Sequence, residues 1–298
     1  MNAESLAQTL FGLIREASTQ LPADVVAALD ACHKREAAGS RAAGILDSLR
    51  KNNELAASLQ TPICQDTGSP AFFFKLPETP IPLEMLQAAA WQAARLATAE
   101  GLLRQNTIDT LSGAPVEGNA TPGVPACHFE PGNGNALEVS LLLKGGGSEN
   151  VSRQYSLPDA ELKAGRDLAG VRACVLDAVW RAQGMGCAPG VVGVCAGGDR
   201  ASGWLCAKKQ LLRPLDDVSP DPQLAALEAR LLSEANSLGI GPMGLGGKST
   251  LLGVKAAVLP RLPASYFVSV AYSCWATRRA FCNVAQTCFA PFMAQNRL

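Results

Sequence analysis

Helical and strand-like segments follow one another along this chain in an order that narrows its possible folds. Residues 1–58 carry apolar residues at helical spacing and predict about three helices. Later segments with helical spacing alternate with short apolar runs typical of buried strands, such as GVVGVCAGG (190–198) and SYFVSVAYS (265–273). We therefore predict an α+β fold, with a helical N-terminal region followed by mixed sheets flanked by helices.

The chain carries no clear internal boundary. It has no internal repeat, low-complexity segment or evident linker, and its best loop, the Pro- and Gly-rich stretch 113–134, lies mid-chain. Length alone permits one large domain or two smaller ones. We predict a single domain over residues 1–298, with residues 1–58 as its helical N-terminal segment.

Several element boundaries follow from capping residues and glycines. The stretch 157–186 predicts one helix closed by glycines, and 219–239 predicts another with Ser219 as N-cap and Pro220 in its first turn. The glycines after Lys144 predict a loop that follows a strand. Cys282 and Cys288 are predicted to lie on a C-terminal helix.

Charge and cysteine content narrow the function classes. A formal net charge of +0 gives no long-range attraction to nucleic acid or to an anionic membrane. No apolar run reaches the length of a membrane span, and the N-terminus, with Glu4 before its apolar residues, predicts an amphipathic helix rather than a secretory signal. We expect a cytoplasmic protein whose 10 cysteines are thiols or metal ligands rather than disulfides.

Three cysteines lie in turns, in contrast to the others. Cys64 is in PICQDTG, Cys187 in GMGCAPG and Cys274 in YSCWATR, whereas the remaining seven mostly lie in apolar segments and are expected to be buried thiols. No pair is spaced C-x-x-C, so any metal site must collect ligands from distant segments. For each turn cysteine, a buried thiol remains the alternative.

Two glycine clusters invite a phosphate-binding interpretation. In GIGPMGLGGKST, the first glycine that a phosphate loop requires falls on Pro242, so the motif fails. In KGGGSEN (144–150), consecutive glycines leave backbone N–H groups open to an anion, with Lys144 adding positive charge. The alternative is a turn selected for steric freedom.

Taken in order, PICQDTG, KGGGSEN and GIGPMGLGGKSTLLGVKA…SCWATR resemble the α-type region of class I fumarases and L-tartrate dehydratases, which are iron–sulfur hydro-lyases. The resemblance covers roughly residues 60–280. It implies the α-type fold of that family, consistent with the α+β prediction.

The resemblance also implies a site. Cys64, Cys187 and Cys274 would bind a 4Fe–4S cluster, and the iron left without a protein ligand would act as a Lewis acid on a substrate carboxylate and hydroxyl. Asp66 would serve in acid–base or orienting work, although an aspartate closing an Asx turn is the alternative. The implied substrate-binding residues are Gln65, Arg104, Gly146 and Gly147; for Arg104 the alternative is a solvated charge at a helix end. Arg278 matches a family arginine, and the resemblance assigns it no role; neutralising the charge of the cluster is one role it could have.

Two departures from the family pattern affect substrate recognition. Leu262 stands where relatives place a histidine twelve residues before the third cluster cysteine, with Arg261 next to it as a possible substitute. Ala120 stands where an asparagine is expected, and Asn119 lies one place earlier. These changes imply a substrate other than fumarate or malate, or an activity that has drifted.

The sequence stops after the α-type region, so we expect a separate β-type subunit that completes the active site for a small carboxylic acid. Two rival interpretations remain open. One is a non-catalytic iron–sulfur or scaffold protein, which the replacement of the family histidine by Leu262 supports. The other is a nucleotide-binding enzyme using the glycine clusters, against which the failed phosphate-loop spacing counts.

Overall fold

A computed structural model describes residues 3–285, in which three helices come first and strands begin only at Ser69. The helices are α1 Ala3–Thr19, α2 Ala23–Arg35, α3 Arg41–Leu59, α4 Leu83–Ala99, α5 Gly146–Asn150, α6 Leu168–Ala182, α7 Arg200–Gln210 and α8 Pro222–Ser237. The strands are β1 Ser69–Leu76, β2 Ala126–Pro131, β3 Ala136–Lys144, β4 Arg153–Ser156, β5 Gly190–Gly197, β6 Leu251–Leu259, β7 Phe267–Ser273 and β8 Arg278–Ala285. No helix in the described part of the chain is long and apolar enough to span a membrane.

These residues form two compact units, each assembled from separate stretches of sequence. Within residues 3–285, unit 1 holds residues 3–22, 53–144 and 278–285, and unit 2 holds residues 23–52 and 145–277. Each unit contains one four-stranded mixed sheet with its own helices. The predicted α+β fold class is therefore confirmed, while a single domain over residues 1–298 stays a prediction.

Unit 1 is a sheet with two helices packed on one face. Its strand order is β2-β1-β3-β8; β1 runs parallel to β2 and antiparallel to β3, and β3 runs antiparallel to β8. Phe72 and Phe74 point from β1 into the core, with ring centroids 5.8 Å apart. Burying each ring contributes about 1.5–3 kcal/mol. Small side chains on α4, such as Ala89 and Ala93, let α1 approach closely.

Unit 2 is a sheet covered on both faces. Its strand order is β4-β7-β5-β6, with β5 parallel to β6 and antiparallel to β7. Every residue of β5 is buried, which explains its unbroken apolar sequence. Val192 and Val194 pack with α6 and α8, while Gly193 on the opposite face lies against α7.

Two helices begin later than predicted. α6 begins at Leu168, because the Asp167 side chain accepts a hydrogen bond from the Gly170 N–H, whereas residues 157–167 form turns. α8 is capped by Asp221 rather than Ser219; the Asp221 carboxylate accepts the N–H groups of Gln223 and Leu224.

Three further predictions need correction. The glycines after Lys144 begin the short helix α5 rather than a loop, and the predicted loop 113–134 contains strand β2. Cys282 lies on strand β8 and not on a helix. Cys288 lies outside the described residues.

Candidate active site

The segment from Cys64 to Gly68 is a fixed turn of unit 1 between α3 and β1. At its start, the Ile63 N–H donates to the Ser18 carbonyl at 2.9 Å. At its end, Gly68 has φ +80°, and a Cβ there would stand 3.0 Å from the Lys144 nitrogen. Only glycine fits both constraints, so the backbone around Cys64 is held from both sides.

Asp66 uses one carboxylate oxygen to form this turn. Its Oδ1 accepts the Gly68 N–H at 3.2 Å, which is the Asx turn offered as the alternative. Its second oxygen has no hydrogen-bond partner among residues 3–285. The half-buried carboxylate therefore has one oxygen in the turn and one available for a ligand.

The structure brings Arg104 to the same turn. Its Nη1 donates to the Gln65 carbonyl at 3.3 Å, and its backbone N–H donates to Thr67 Oγ1 at 3.0 Å. Arg104 lies five residues beyond the end of α4 at Ala99, so it is not the helix-end charge considered as the alternative. Gln65, Asp66 and Arg104 thus form one cluster in unit 1.

Sequence reasoning missed the buried residue that positions the Arg104 loop. Asn119 Oδ1 accepts the N–H groups of Asn106 and Thr107 at 3.0 and 2.9 Å. Its Nδ2 donates to Thr98 Oγ1 and to the Arg104 carbonyl, both at 2.8 Å. The one sequence feature that pointed to Asn119 was its place next to Ala120, the position at which the family pattern has an asparagine.

In unit 2, Cys187 lies in a tight turn after α6. Its φ is +54°, its N–H donates to the Gly184 carbonyl at 3.0 Å, and its side chain is exposed. The Ala188 carbonyl accepts the Met243 N–H at 2.9 Å. The glycine-rich segment 239–250, which the sequence analysis compared with a phosphate loop, therefore packs against this turn.

Cys274 joins the same region of unit 2. It follows β7 and is half-buried, and the N–H of the next residue, Trp275, donates to the Cys187 carbonyl at 3.1 Å. Two of the three predicted cluster cysteines are thus brought together by a backbone hydrogen bond. Cys64 belongs to unit 1.

Tyr272 lies beneath both cysteine turns and is 2% exposed. Glycine is required at position 186, since a Cβ there would stand 2.5 Å from the Tyr272 ring. Burial raises the pKa of Tyr272, and negative charge on Cys274 and Cys187 raises it further. The phenol consequently stays neutral when these thiols ionise.

Gly146 and Gly147 begin α5, close to the Cys187 turn. A Cβ on Gly146 would meet nothing within 4 Å, and one on Gly147 would stand 3.9 Å from the Met185 carbonyl. Steric crowding thus does not require glycine at either position. Gly145, the N-cap, supplies no side-chain hydrogen bond to the helix.

The departures at 261 and 262 lie on the loop between β6 and β7. Leu262 is 73% exposed. The Arg261 guanidinium stacks over the Tyr266 ring, 4.4 Å from its centroid, and donates to the carbonyls of Leu262 and Pro263. Arg261 is therefore engaged in its own loop, which argues against its replacing an imidazole.

The three proposed donors suit an iron–sulfur cluster in chemistry. Cys187 is exposed and Cys64 and Cys274 are half-buried, whereas Cys32, Cys174 and Cys195 are buried as predicted. Cys127, Cys206 and Cys282 were also predicted to be buried but are half-buried, so accessibility alone does not single out the donors. Thiolates are the usual protein ligands of such clusters. No group of three His, Cys, Asp or Glu side chains placed to hold a metal ion occurs within residues 3–285.

The buried side chain of Arg278 is a second feature that suits a bound anionic group such as an iron–sulfur cluster. It begins β8 and is 1% exposed, and its Nε and Nη1 have no hydrogen-bond partner in the described part of the chain. A buried guanidinium with open donors is costly unless an anion or water completes it. An anionic group bound near Arg278 would satisfy these donors.

Comparison with known proteins identifies the family. The model of the family "Fumarate hydratase (Fumerase)" matches residues 7–283, so the chain belongs to this family, and the resemblance inferred from the motifs is confirmed. A protein of Geobacillus stearothermophilus provisionally named fumarate hydratase class I is 47% identical over 280 residues, which are 93% of this chain and 54% of that protein.

Relatives named as subunits match over most of their length. A protein of Methanocaldococcus jannaschii provisionally named L(+)-tartrate dehydratase subunit alpha is 34% identical over 272 residues, covering 90% of this chain and 93% of that protein. The L(+)-tartrate dehydratase subunit alpha of Escherichia coli K12 is 33% identical over 264 residues, covering 88% and 85%. The chain thus spans about half of the Geobacillus protein but most of the named alpha subunits.

Proposed function

We propose that this chain is the α-type subunit of an iron–sulfur hydro-lyase, which adds or removes water at a 2-hydroxy (di)carboxylic acid. Family membership and the named relatives support the reaction class. The observation that carries the proposal is the cluster of Gln65, Asp66 and Arg104 directly beside Cys64. We assign to these three residues the acid–base group, the amide and the carboxylate-binding cation of the site, next to a proposed cluster ligand.

We assign Cys64, Cys187 and Cys274 as the ligands of a 4Fe–4S cluster. With three thiolates for four irons, the bound cluster supplies one Lewis-acidic iron open to the substrate. The backbone bond that joins the Cys187 and Cys274 turns, and the fixed turn at Cys64, support this assignment because each pre-sets a ligand backbone. Arg278, with its open donors, offers positive charge toward an anionic group.

The substrate carboxylates are assigned to the donors of this chain. Arg104 presents a fork of N–H donors that suits two carboxylate oxygens, and within residues 3–285 its guanidinium donates only through Nη1. The exposed Gln65 side chain is available to hydrogen-bond the acid, and the backbone N–H groups of Gly146 and Gly147 are assigned to a carboxylate.

Asp66 is assigned the acid–base or orienting role. Elimination of water from a 2-hydroxy acid removes a proton from the carbon next to the hydroxyl-bearing one. That proton becomes more acidic when the neighbouring carboxylate is neutralised by donors such as Arg104. The open Asp66 oxygen, held by the turn on its other side, is the group we assign to this proton or to the substrate hydroxyl.

We further propose a separate β-type partner subunit, because relatives covering most of this chain are named as alpha subunits. The active site would be complete only with that partner, and the chain alone would turn over poorly. The exposed Leu262 favours an acid that is less polar than malate or differently substituted. We place the reaction in the cytoplasm.

The test is anaerobic co-purification with the β-type partner, followed by a screen of unsaturated and 2-hydroxy dicarboxylic acids. We expect a brown protein absorbing near ~400 nm, as thiolate-bound clusters do, and turnover of at least one acid. A coloured complex inert toward every acid would contradict the hydro-lyase proposal in favour of a non-catalytic iron–sulfur protein. A colourless protein that binds nucleotide would favour the nucleotide-binding alternative.

Replacing Cys64 tests the ligand assignment separately. We expect Cys64→Ser to lose most iron and sulfide, measured chemically alongside the visible spectrum. Cys174→Ser is the matched control, since Cys174 is a buried thiol of α6, and it should keep its iron. Full iron and sulfide in Cys64→Ser would remove Cys64 from the ligand set.

A further inference from the structure

Two cysteines outside the proposed ligand set meet in unit 2, across a strand and the helix that follows it. Cys195 lies on β5 and is fully buried; Cys206 lies on α7 and is half-buried. Gly193, two residues before Cys195, is on the same face of β5, and a Cβ there would overlap the Ala207 carbonyl. The backbones of β5 and α7 therefore approach unusually closely beside Cys195.

The helix side shows the same close approach. A Cβ on Gly203 would stand 3.0 Å from Ser269 Oγ, and Ser269 pairs with Cys195 in the sheet. Cys206 lies three residues after Gly203, on the same face of α7. The glycines at 193 and 203 thus bring Cys206 onto Cys195.

Hydrogen bonding between the two thiols lowers the pKa of Cys206, with help from the Lys209 charge, and the same interaction together with burial raises the pKa of Cys195. When the pair loses a proton, Cys206 therefore becomes the thiolate and Cys195 donates to it. Cys206 is also the more accessible of the two sulfurs.

We propose that Cys195 and Cys206 are a redox modification site, a dithiol that closes to a reversible disulfide when it meets a peroxide. Two thiols on facing sides of the closely packed β5 and α7, rather than a lone cysteine, carry the proposal. Disulfide formation requires backbones within a few ångströms of one another, and the glycine contacts provide that approach. This site is separate from the proposed cluster ligands and does not depend on the proposed function.

The chemistry balances with hydrogen peroxide as the oxidant. The Cys206 thiolate attacks one peroxide oxygen; the O–O bond breaks, Cys206 becomes a sulfenic acid and hydroxide leaves. The Cys195 sulfur then attacks the Cys206 sulfur, so that an S–S bond forms, the S–O bond breaks and a second hydroxide leaves. The two thiol protons convert both hydroxides to water. Both thiols are oxidised together, and one peroxide is reduced.

Peptide mapping of the full-length protein tests the proposal. The protein is exposed briefly to hydrogen peroxide, its remaining thiols are alkylated, and it is digested with trypsin, which cleaves after Arg200 and so separates Cys195 from Cys206. We expect the peptides 182–200 and 201–208 to become linked through Cys195, with the loss of two hydrogen atoms and with recovery on reduction. Because peptide 182–200 also contains Cys187, fragmentation must assign the linked sulfur.

Three variants sharpen the result. Cys206→Ser and Cys195→Ser should each abolish the linked peptide, whereas Cys174→Ser, a buried thiol elsewhere in unit 2, should leave its yield unchanged. Wild-type protein with Cys206 trapped as a sulfenic or sulfinic acid beside a free Cys195 would overturn the proposal, as would linkage of Cys206 to any other cysteine. The linkage is read from peptide masses and not from iron content or turnover, so its failure is distinct from a failure of the hydro-lyase proposal.

Discussion

The Asp66 carboxylate divides its two oxygens between chain structure and the proposed chemistry. One oxygen accepts the Gly68 N–H, and the other has no partner within residues 3–285. The sequence offered these two roles as alternatives, but the geometry allows both at once. The division also makes the two roles experimentally separable, because an asparagine keeps the turn acceptor and loses the charge.

Asp66→Asn should leave stability nearly unchanged, within about 0.5 kcal/mol, while slowing the reaction of the partnered enzyme by roughly 10²–10⁴. Thermal unfolding and kcat measure the two effects. Asp66→Ala is the comparison, since it also loses the turn and should cost about 1 kcal/mol more. Undiminished kcat in Asp66→Asn would exclude an acid–base role for this residue.

Sequence chemistry named candidate site residues, whose roles stay predictions, but it did not identify the residues that support them. Gln65, Asp66 and Arg104 were all predicted, and the structure places them in one cluster. The supporting roles of Thr67 and Asn119, which hold that cluster, were not predicted. Their hydrogen bonds join segments that lie far apart along the chain, and no local pattern records such a pairing.

At the scale of elements, periodicity predicted the long helices and the buried strands, since many residues repeat the same signal. The short elements were missed for local reasons. α5 is only five residues long and starts with glycines, which are poor helix formers, and β2 is an edge strand within a Pro- and Gly-rich stretch. The α8 cap was misplaced because SPDP contains two cap–proline pairs.

Glycine substitutions test the turn that carries Cys64. Gly68→Ala should destabilise the protein by about 1–3 kcal/mol, because φ is +80° and the new Cβ would stand 3.0 Å from backbone atoms. The control is Gly12→Ala at an exposed position of helix α1, where a Cβ meets nothing within 4 Å, and it should stabilise by about 0.5–1 kcal/mol. Urea unfolding distinguishes the two; equal effects would show that the turn at Gly68 relaxes freely.

At the scale of the whole molecule, the buried thiols predict how stability depends on pH. Burial raises the pKa of Cys174 from 9.0 to about 12, with the charges of Asp159 and Asp177 adding to it. Between these values the unfolded chain releases a proton that the folded chain retains. The stability contributed by this thiol is therefore complete below about pH 9 and is lost as the pH rises toward 12.

Urea midpoints at rising pH measure this effect. From about pH 9 upward, the free energy of unfolding should fall with a slope on the order of 1 kcal/mol per pH unit for this thiol. Cys174→Ala lowers stability at every pH through the cavity that it leaves, but should show a shallower slope. An identical slope in wild type and Cys174→Ala would contradict the assignment.

Short stretches of sequence could not predict how the chain is divided between the two units. Each unit is built from segments that are separated along the chain by segments of the other unit. This arrangement has a consequence for synthesis on the ribosome. Strand β8 pairs with β3, yet it follows all of unit 2 in chain order. During synthesis, residues 145–277 of unit 2 therefore emerge while the β8 side of β3 is still an open edge, and the sheet of unit 1 gains its last described strand only afterwards.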